Sequence, residues 1–154
     1  SMYIIELNAE GNFEFKTMSF KHKNSDTVFS LADESDGTIR LLDIIEVLLT
    51  NEDEKVYVID EINRKFHPLL TRKFVDDFLK LAEKRNIQLI VTTHESQIMD
   101  LNLLRRDEIC FVNKSDDGYS SIYSLDNYDV RFDKKIVTEY LKGKYGAVPV
   151  WKDK

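Results

Sequence analysis

The feature that most constrains this chain is a pair of short apolar runs flanking one amphipathic segment: Val56-Tyr57-Val58-Ile59, then residues 68–85, then Leu89-Ile90-Val91-Thr92-Thr93. Both runs are rich in β-branched residues, neither alternates, and both are too short for a helix, which is how strands of a buried parallel sheet read. Between them Pro68 suits the first turn of a helix, and Leu70, Phe74, Phe78, Leu81 and Ala82 fall on one helical face. Two strands joined this way are expected to lie parallel through a right-handed crossover, which makes the chain α/β. Its 154 residues suffice for one core, and residues 1–154 read as a single domain.

The flanking sequence predicts further elements. Residues 2–33 are extended in pattern, with Tyr3–Leu7, Phe13–Phe20 and Thr27–Leu31 separated by Glu10-Gly11-Asn12 and Lys23–Asp26, so the chain opens on antiparallel strands. From Thr38 the period becomes helical through Leu41, Leu42, Ile44, Ile45, Leu48 and Leu49, after Ser35-Asp36-Gly37, which suits an N-terminal cap. A short helix near 96–104, strands at 108–113 and 120–125 about Asp116-Asp117-Gly118, and a helix at 134–142 complete the prediction.

Charge and composition exclude several functions. The net charge of −6 argues against non-specific binding of polyanions. No apolar stretch approaches the ~20 residues that cross a bilayer, and the N-terminus lacks a signal-peptide pattern, so no membrane partner and a cytoplasmic location are expected. The single cysteine, Cys110, sits in Ile109-Cys110-Phe111-Val112 and is expected to be a buried thiol in a reducing compartment. No histidine or cysteine spacing suits zinc. Gly11, Gly37, Gly118, Gly143 and Gly146 nowhere form a G-x-x-x-x-G-K-[ST] phosphate loop.

Three segments carry candidate chemistry. Asp60-Glu61 follows directly on Val56–Ile59, at the carboxyl end of a strand, the edge of an α/β sheet where ligands bind. An aspartate there can hold a hydrated Mg²⁺, and the adjacent glutamate can orient and deprotonate a water attacking a γ-phosphate. Thr92-Thr93-His94 ends the next strand, within reach of the same ligand, and an imidazole there can hydrogen-bond a phosphate or the attacking water. Ser35-Asp36-Gly37-Thr38 opens a helix, where free backbone N–H groups favour an anion; an ordinary N-cap would look the same.

Taken in order, Ser35-Asp36-Gly37-Thr38-Ile39-Arg40-Leu41, Val58-Ile59-Asp60-Glu61, His67-Pro68 and Thr92-Thr93-His94 resemble the ABC-type ATPases, and more closely the C-terminal half of the AAA-15 or OLD-like ATPases, relatives of the SMC and DNA-repair ATPases. Residues 104–109 and 140–149 are similar to the same subgroup, and the resemblance spans roughly residues 27–150. It implies a partial P-loop NTPase fold, with parallel strands and crossover helices, antiparallel strands at the N-terminus and a C-terminal hairpin. It also implies that Ser35, Asp36, Gly37 and Thr38 form the signature motif that contacts nucleotide on a partner subunit. Asp60 is then the Walker B ligand of Mg²⁺, Glu61 the general base and His94 the switch histidine, while His67 falls near the D-loop, with Asn63 and Arg64 before it. The cofactors of the complete enzyme are Mg²⁺ and ATP. Its partners are the N-terminal ATPase lobe, a second copy in a homodimer and, in some relatives, an effector nuclease or nucleic acid; the resembled families include phage-defence ATPases.

The Walker A loop, which in that family precedes these motifs, is absent from this sequence, so the segment alone is expected to have little or no ATP affinity. Ser1 before Met2 has the look of a tag-removal scar, and a segment cut from a longer ATPase is expected over a natural half-protein. Two other classes compete. One is a non-catalytic interaction module of the same fold. The other is a metal-dependent nuclease using Asp60 and Glu61 with Asp100 or Asp107, which is disfavoured because two-metal sites need several convergent carboxylates.

Overall fold

The computed structural model describes residues 3–129 and 136–148. The expected start of the last helix at residues 134–135 and the Trp151 tail lie outside the described residues. The chain forms two compact units, one built on the residues up to Glu52 with Arg64–Phe66, the other on Asp53–Asn63 with the residues from His67 onward.

In the first unit β1 (Tyr3–Leu7) pairs antiparallel with β2 (Phe13–Thr17), and β3 (Ser19–Lys21) with β4 (Val28–Ser30). The antiparallel opening is as expected, but the run Phe13–Phe20 is divided at Met18 between two hairpins. The helix expected from Thr38 is likewise two pieces, α1 (Asp36–Ile44) and α2 (Glu46–Leu49), meeting at Ile45. Ile44 and Val47 are the buried residues on either side of that junction.

The second unit holds the predicted strand–helix–strand. β5 (Lys55–Ile59) and β6 (Ile87–Val91) are parallel, in register from Lys55↔Ile87 to Ile59↔Val91, and α3 (Pro68–Ala82) connects them. Thr71, Phe74, Val75 and Phe78 form the buried face of α3, and the ring of Tyr57 meets Phe78 edge-on at 6.4 Å. Leu70, expected on that face, lies at its exposed border, because burial follows the 71/74/75/78 stripe one position on. The helix stops at Ala82 rather than residue 85: the amides of Lys84 and Arg85 bond the carbonyls of Leu81 and Ala82, the tighter i→i+3 pattern with which helices often end.

Burial of the two strands departs from expectation. Ile59 and Ile87 are buried, but Val58 is 72% exposed and its register partner Ile90 is 48% exposed. Successive strand residues face opposite ways, so α3 covers one face of this two-stranded sheet and the apolar side chains of the other face remain open.

Downstream, the predicted helix near 96–104 is only a 3₁₀ turn, Ser96–Ile98, followed by turns. The side chain of Asp100 accepts the backbone N–H of Asn102 at 2.8 Å, and such local bonds compete with helix. β7 (Cys110–Lys114) and β8 (Ser120–Ser124) form the expected antiparallel hairpin, and α4 (Ile136–Leu141) packs its Ile136 into the core beneath it. That core is Ile109, Phe111, Leu125, Ile136 and Tyr145, ringed by Tyr123, Tyr128 and Tyr140. Gly146 is required there: its φ is +68°, and a Cβ would stand 2.7 Å from the Tyr123 hydroxyl. Cys110 corrects an expectation, since it is exposed. Ile109 and Phe111 on either side point inward, and strand alternation turns the thiol outward.

Candidate functional site

The carboxyl ends of β5 and β6 are joined by one residue. The Thr92 amide donates to the Ile59 carbonyl at 3.1 Å and the Thr92 carbonyl accepts from the Ile62 amide at 3.1 Å, which carries the strand pairing past the last residue of either strand. Its hydroxyl donates to Asp60 Oδ1 and accepts the Glu61 amide at 2.9 Å. Asp60 and Glu61 are therefore both fixed from the neighbouring strand end, as the β-branched hydroxyl of a threonine next to a pleated edge allows.

Glu61 has φ +48°, in the left-handed region that a residue with a Cβ rarely adopts, at a cost of about 1 kcal/mol or more. The flanking bonds from the Glu61 and Ile62 amides to Thr92 hold it there. The consequence is a sharp reversal of the chain after Asp60, with both carboxylates exposed at the end of the sheet.

His94 joins the same end through Asn63. The Asn63 amide nitrogen lies 3.0 Å from His94 Nε2, and Asn63 Oδ1 accepts the Thr93 hydroxyl at 2.9 Å. Thr93 Oγ1 in turn accepts the Glu95 amide at 3.0 Å. Asn63 thus ties the loop after β5 to the loop after β6. A short ion pair, Arg72 Nη1 to Asp100 Oδ2 at 2.6 Å, ties the far end of the β6 loop to α3. The Asp100 carboxyl is held below the usual carboxylate range, first by the Asn102 backbone N–H and then by Arg72, against a partial desolvation that acts the other way.

In the first unit Ser35 caps α1, its Oγ accepting the Thr38 amide at 3.1 Å and lying 2.9 Å from Thr38 Oγ1. Asp36 pairs with Lys65 at 2.8 Å. A Cβ on Gly37 would stand 3.1 Å from the Lys65 carbonyl, so the glycine admits that backbone. Ser35 and Thr38 thus show the geometry of an N-cap. His67 is also a cap, its Nδ1 accepting the Leu69 amide at 3.2 Å at the start of α3.

Among the described residues no cluster of three or more His, Cys, Asp or Glu side chains could cage a metal. Asp100 is committed to Arg72, and Asp107 to Arg105 at 3.0 Å, so neither supplies the extra carboxylates a nuclease would need. Mg²⁺ has a different requirement. It keeps several waters and is bound by one or two carboxylates with substrate phosphates, and Asp60, exposed and oriented by Thr92, fits that mode.

The family described as AAA domain, putative AbiEii toxin, Type IV TA system matches residues 4–100. The chain belongs to this AAA family. None of the curated proteins compared matches it. Membership makes this a P-loop NTPase-type AAA domain with an ATPase-like function, and the mixed α/β elements, with a small parallel sheet beside antiparallel ones, accord with an AAA-like fold. The matched residues include Ser35–Thr38, Asp60, Glu61, Asn63 and Thr92–His94, and stop before the β7–β8 hairpin. Among the described residues no helix of the AAA domain is long and apolar enough to cross a membrane.

Asn63, Thr92 and Thr93 are the site residues whose roles no motif announces. Their sequence signal is slight: two hydroxyl residues directly after an apolar strand, and a carboxamide three positions after the strand-end aspartate.

Proposed function

We propose that this AAA domain supplies the signature, Walker B and switch-histidine elements of an ATPase, and that its nucleotide cradle is a Walker A loop on polypeptide outside these residues. Asp60 would hold Mg²⁺, Glu61 would activate water, and His94 would hydrogen-bond the γ-phosphate or that water; Ser35–Thr38 would meet nucleotide on a second copy. The closer relationship is with the AAA-15 or OLD-like branch.

The observation that carries this reading is Thr92. One side chain holds the Asp60 carboxylate and the left-handed Glu61 backbone at once, and the adjacent Thr93 orients the Asn63 that contacts His94. Acidic residues that merely end a strand need no such arrangement, and backbone strain of this kind concentrates at functional sites. Magnesium would supply charge neutralisation of the β- and γ-phosphates, and the protein's own contribution would be positional and electrostatic. The family's description names a putative toxin of a type IV toxin–antitoxin system, and the resemblance includes phage-defence ATPases; both suit a cytoplasmic defence module acting with an effector nuclease or nucleic acid.

Calorimetric titration of the chain with Mg-ATP tests the division of labour. Little or no heat of binding is expected, because backbone N–H groups and a lysine that cradle the phosphates are not among these residues. Micromolar binding would overturn the half-site reading. A second reading, a non-catalytic module of the same fold, draws on the first unit, where Ser35 already caps a helix and Asp36 already pairs with Lys65.

A further inference from the structure

We infer that Asn63 and Thr93 are positioning residues that lock His94 in the tautomer carrying its proton on Nδ1, so that Nδ1–H is the edge His94 offers to a ligand. The purpose assigned to that edge rests on the ATPase reading; the lock itself does not.

The protons can be followed one at a time. Thr93 Oγ1 accepts the Glu95 amide at 3.0 Å, and its own proton is directed to Asn63 Oδ1 at 2.9 Å. With Oδ1 facing Thr93, the other end of the Asn63 carboxamide is NH₂, which can only donate. It lies 3.0 Å from His94 Nε2, so Nε2 must be the bare, accepting nitrogen, and the neutral ring carries its proton on Nδ1. Among the described residues Nδ1 has no hydrogen-bond partner, and the histidine is exposed. A phosphate oxygen accepts hydrogen bonds and cannot donate when fully ionised, so a committed N–H donor suits it, whereas a bare nitrogen would repel it.

The other two histidines provide the contrast. His67 Nδ1 accepts the Leu69 amide at 3.2 Å, which places its proton on Nε2, and His22 Nε2 lies 2.9 Å from the Glu34 carboxylate, to which it must donate. Of the three histidines in the chain, His94 is the one that should carry the Nδ1–H tautomer.

The test is long-range ¹H–¹⁵N correlation of the imidazole rings in the labelled chain, without nucleotide, at about pH 8, well above the ~6.5 of a free imidazole. The expected result is His94 as Nδ1–H and His67 as Nε2–H in the same spectrum. Asn63→Ala should return His94 toward Nε2–H, the form favoured by free imidazole, and Asn63→Asp should move the proton to Nε2 outright, since a carboxylate there accepts. Thr93→Val should release the carboxamide and Thr93→Ser should restore the Nδ1–H pattern, which a merely structural role for the threonine would not do. The unaltered chain alone decides the matter if a variant fails to fold, and the His67 signal reports folding of the same unit in each. His94 found as Nε2–H in the unaltered chain, or unchanged by Asn63→Ala, would overturn the lock. Because no nucleotide is present, that failure is separate from any failure to bind or hydrolyse ATP.

Discussion

Among the described residues the second unit contains two sheets of the same size that do opposite work. β5–β6 and β7–β8 are each two strands of five residues with one face covered and apolar side chains on the other, as Val58 and Ile122 show at 72% and 73% exposure. They differ in what surrounds the covered part. The β7–β8 hairpin packs Phe111 against the rings of Tyr140 and Tyr145, each at 5.6 Å, and the Tyr123 hydroxyl donates to the Tyr145 carbonyl at 2.6 Å. Burial pushes the Tyr123 phenol up, which keeps it a donor. At the end of β5–β6 the bonds instead link polar side chains and a backbone amide in exposed and half-buried loops. An aromatic cluster stabilises through area and packing, while the polar links fix geometry at little net energy, because water competes for the exposed groups among them.

That contrast can be broken most severely from the aromatic side. Phe111→Ala should cost about 3–5 kcal/mol of unfolding free energy, read by chemical denaturation, because the ring is buried and stacked on two others. A loss of less than ~1 kcal/mol would show that the hairpin contributes little to the unit. Thr92→Val keeps the strand's shape and removes the hydroxyl. The expected cost is about 1 kcal/mol, far below that of Phe111→Ala, with accelerated amide exchange at Glu61 as its local sign. A cost equal to that of Phe111→Ala would erase the distinction between the two regions.

The smallest effect is acid sensitivity at the β6 loop. The Asp100 carboxyl is lowered in the folded chain, so the stability it contributes is present above its unfolded value of ~3.9 and is lost as pH falls through the lower folded value. Melting curves should therefore decline below about pH 4, and Asp100→Asn should remove part of that decline while lowering stability at neutral pH. An unchanged acid profile in the variant would show that the Arg72 pair contributes nothing measurable.

Much of this architecture was legible in the residues because it follows from period and punctuation. The parallel pair, Pro68 at the start of α3 and the C-terminal hairpin all come from local apolar spacing and turn residues. The exposure of Val58 and Cys110 did not, since an apolar strand residue looks the same whether or not a second layer covers it. At the site, Asp60, Glu61 and His94 stood out as charged or titratable groups directly after strands. The connections through Thr92 and Asn63 link residues about thirty positions apart, and nothing in composition or spacing identifies the partner of a hydroxyl or a carboxamide. The left-handed backbone of Glu61 was equally hidden, because a glutamate carries no propensity for it.

In the proposed ATPase, catalysis would reside at the end of β5–β6, with Glu61 as the base. The direct measurement is steady-state Mg-ATP hydrolysis by Glu61→Gln beside the unaltered sequence, each within polypeptide that also carries the Walker A loop, with nucleotide affinity measured in parallel. Affinity should be retained while turnover falls by a factor on the order of 10²–10⁴, the span that a positioned general base contributes. Undiminished hydrolysis in Glu61→Gln would contradict it.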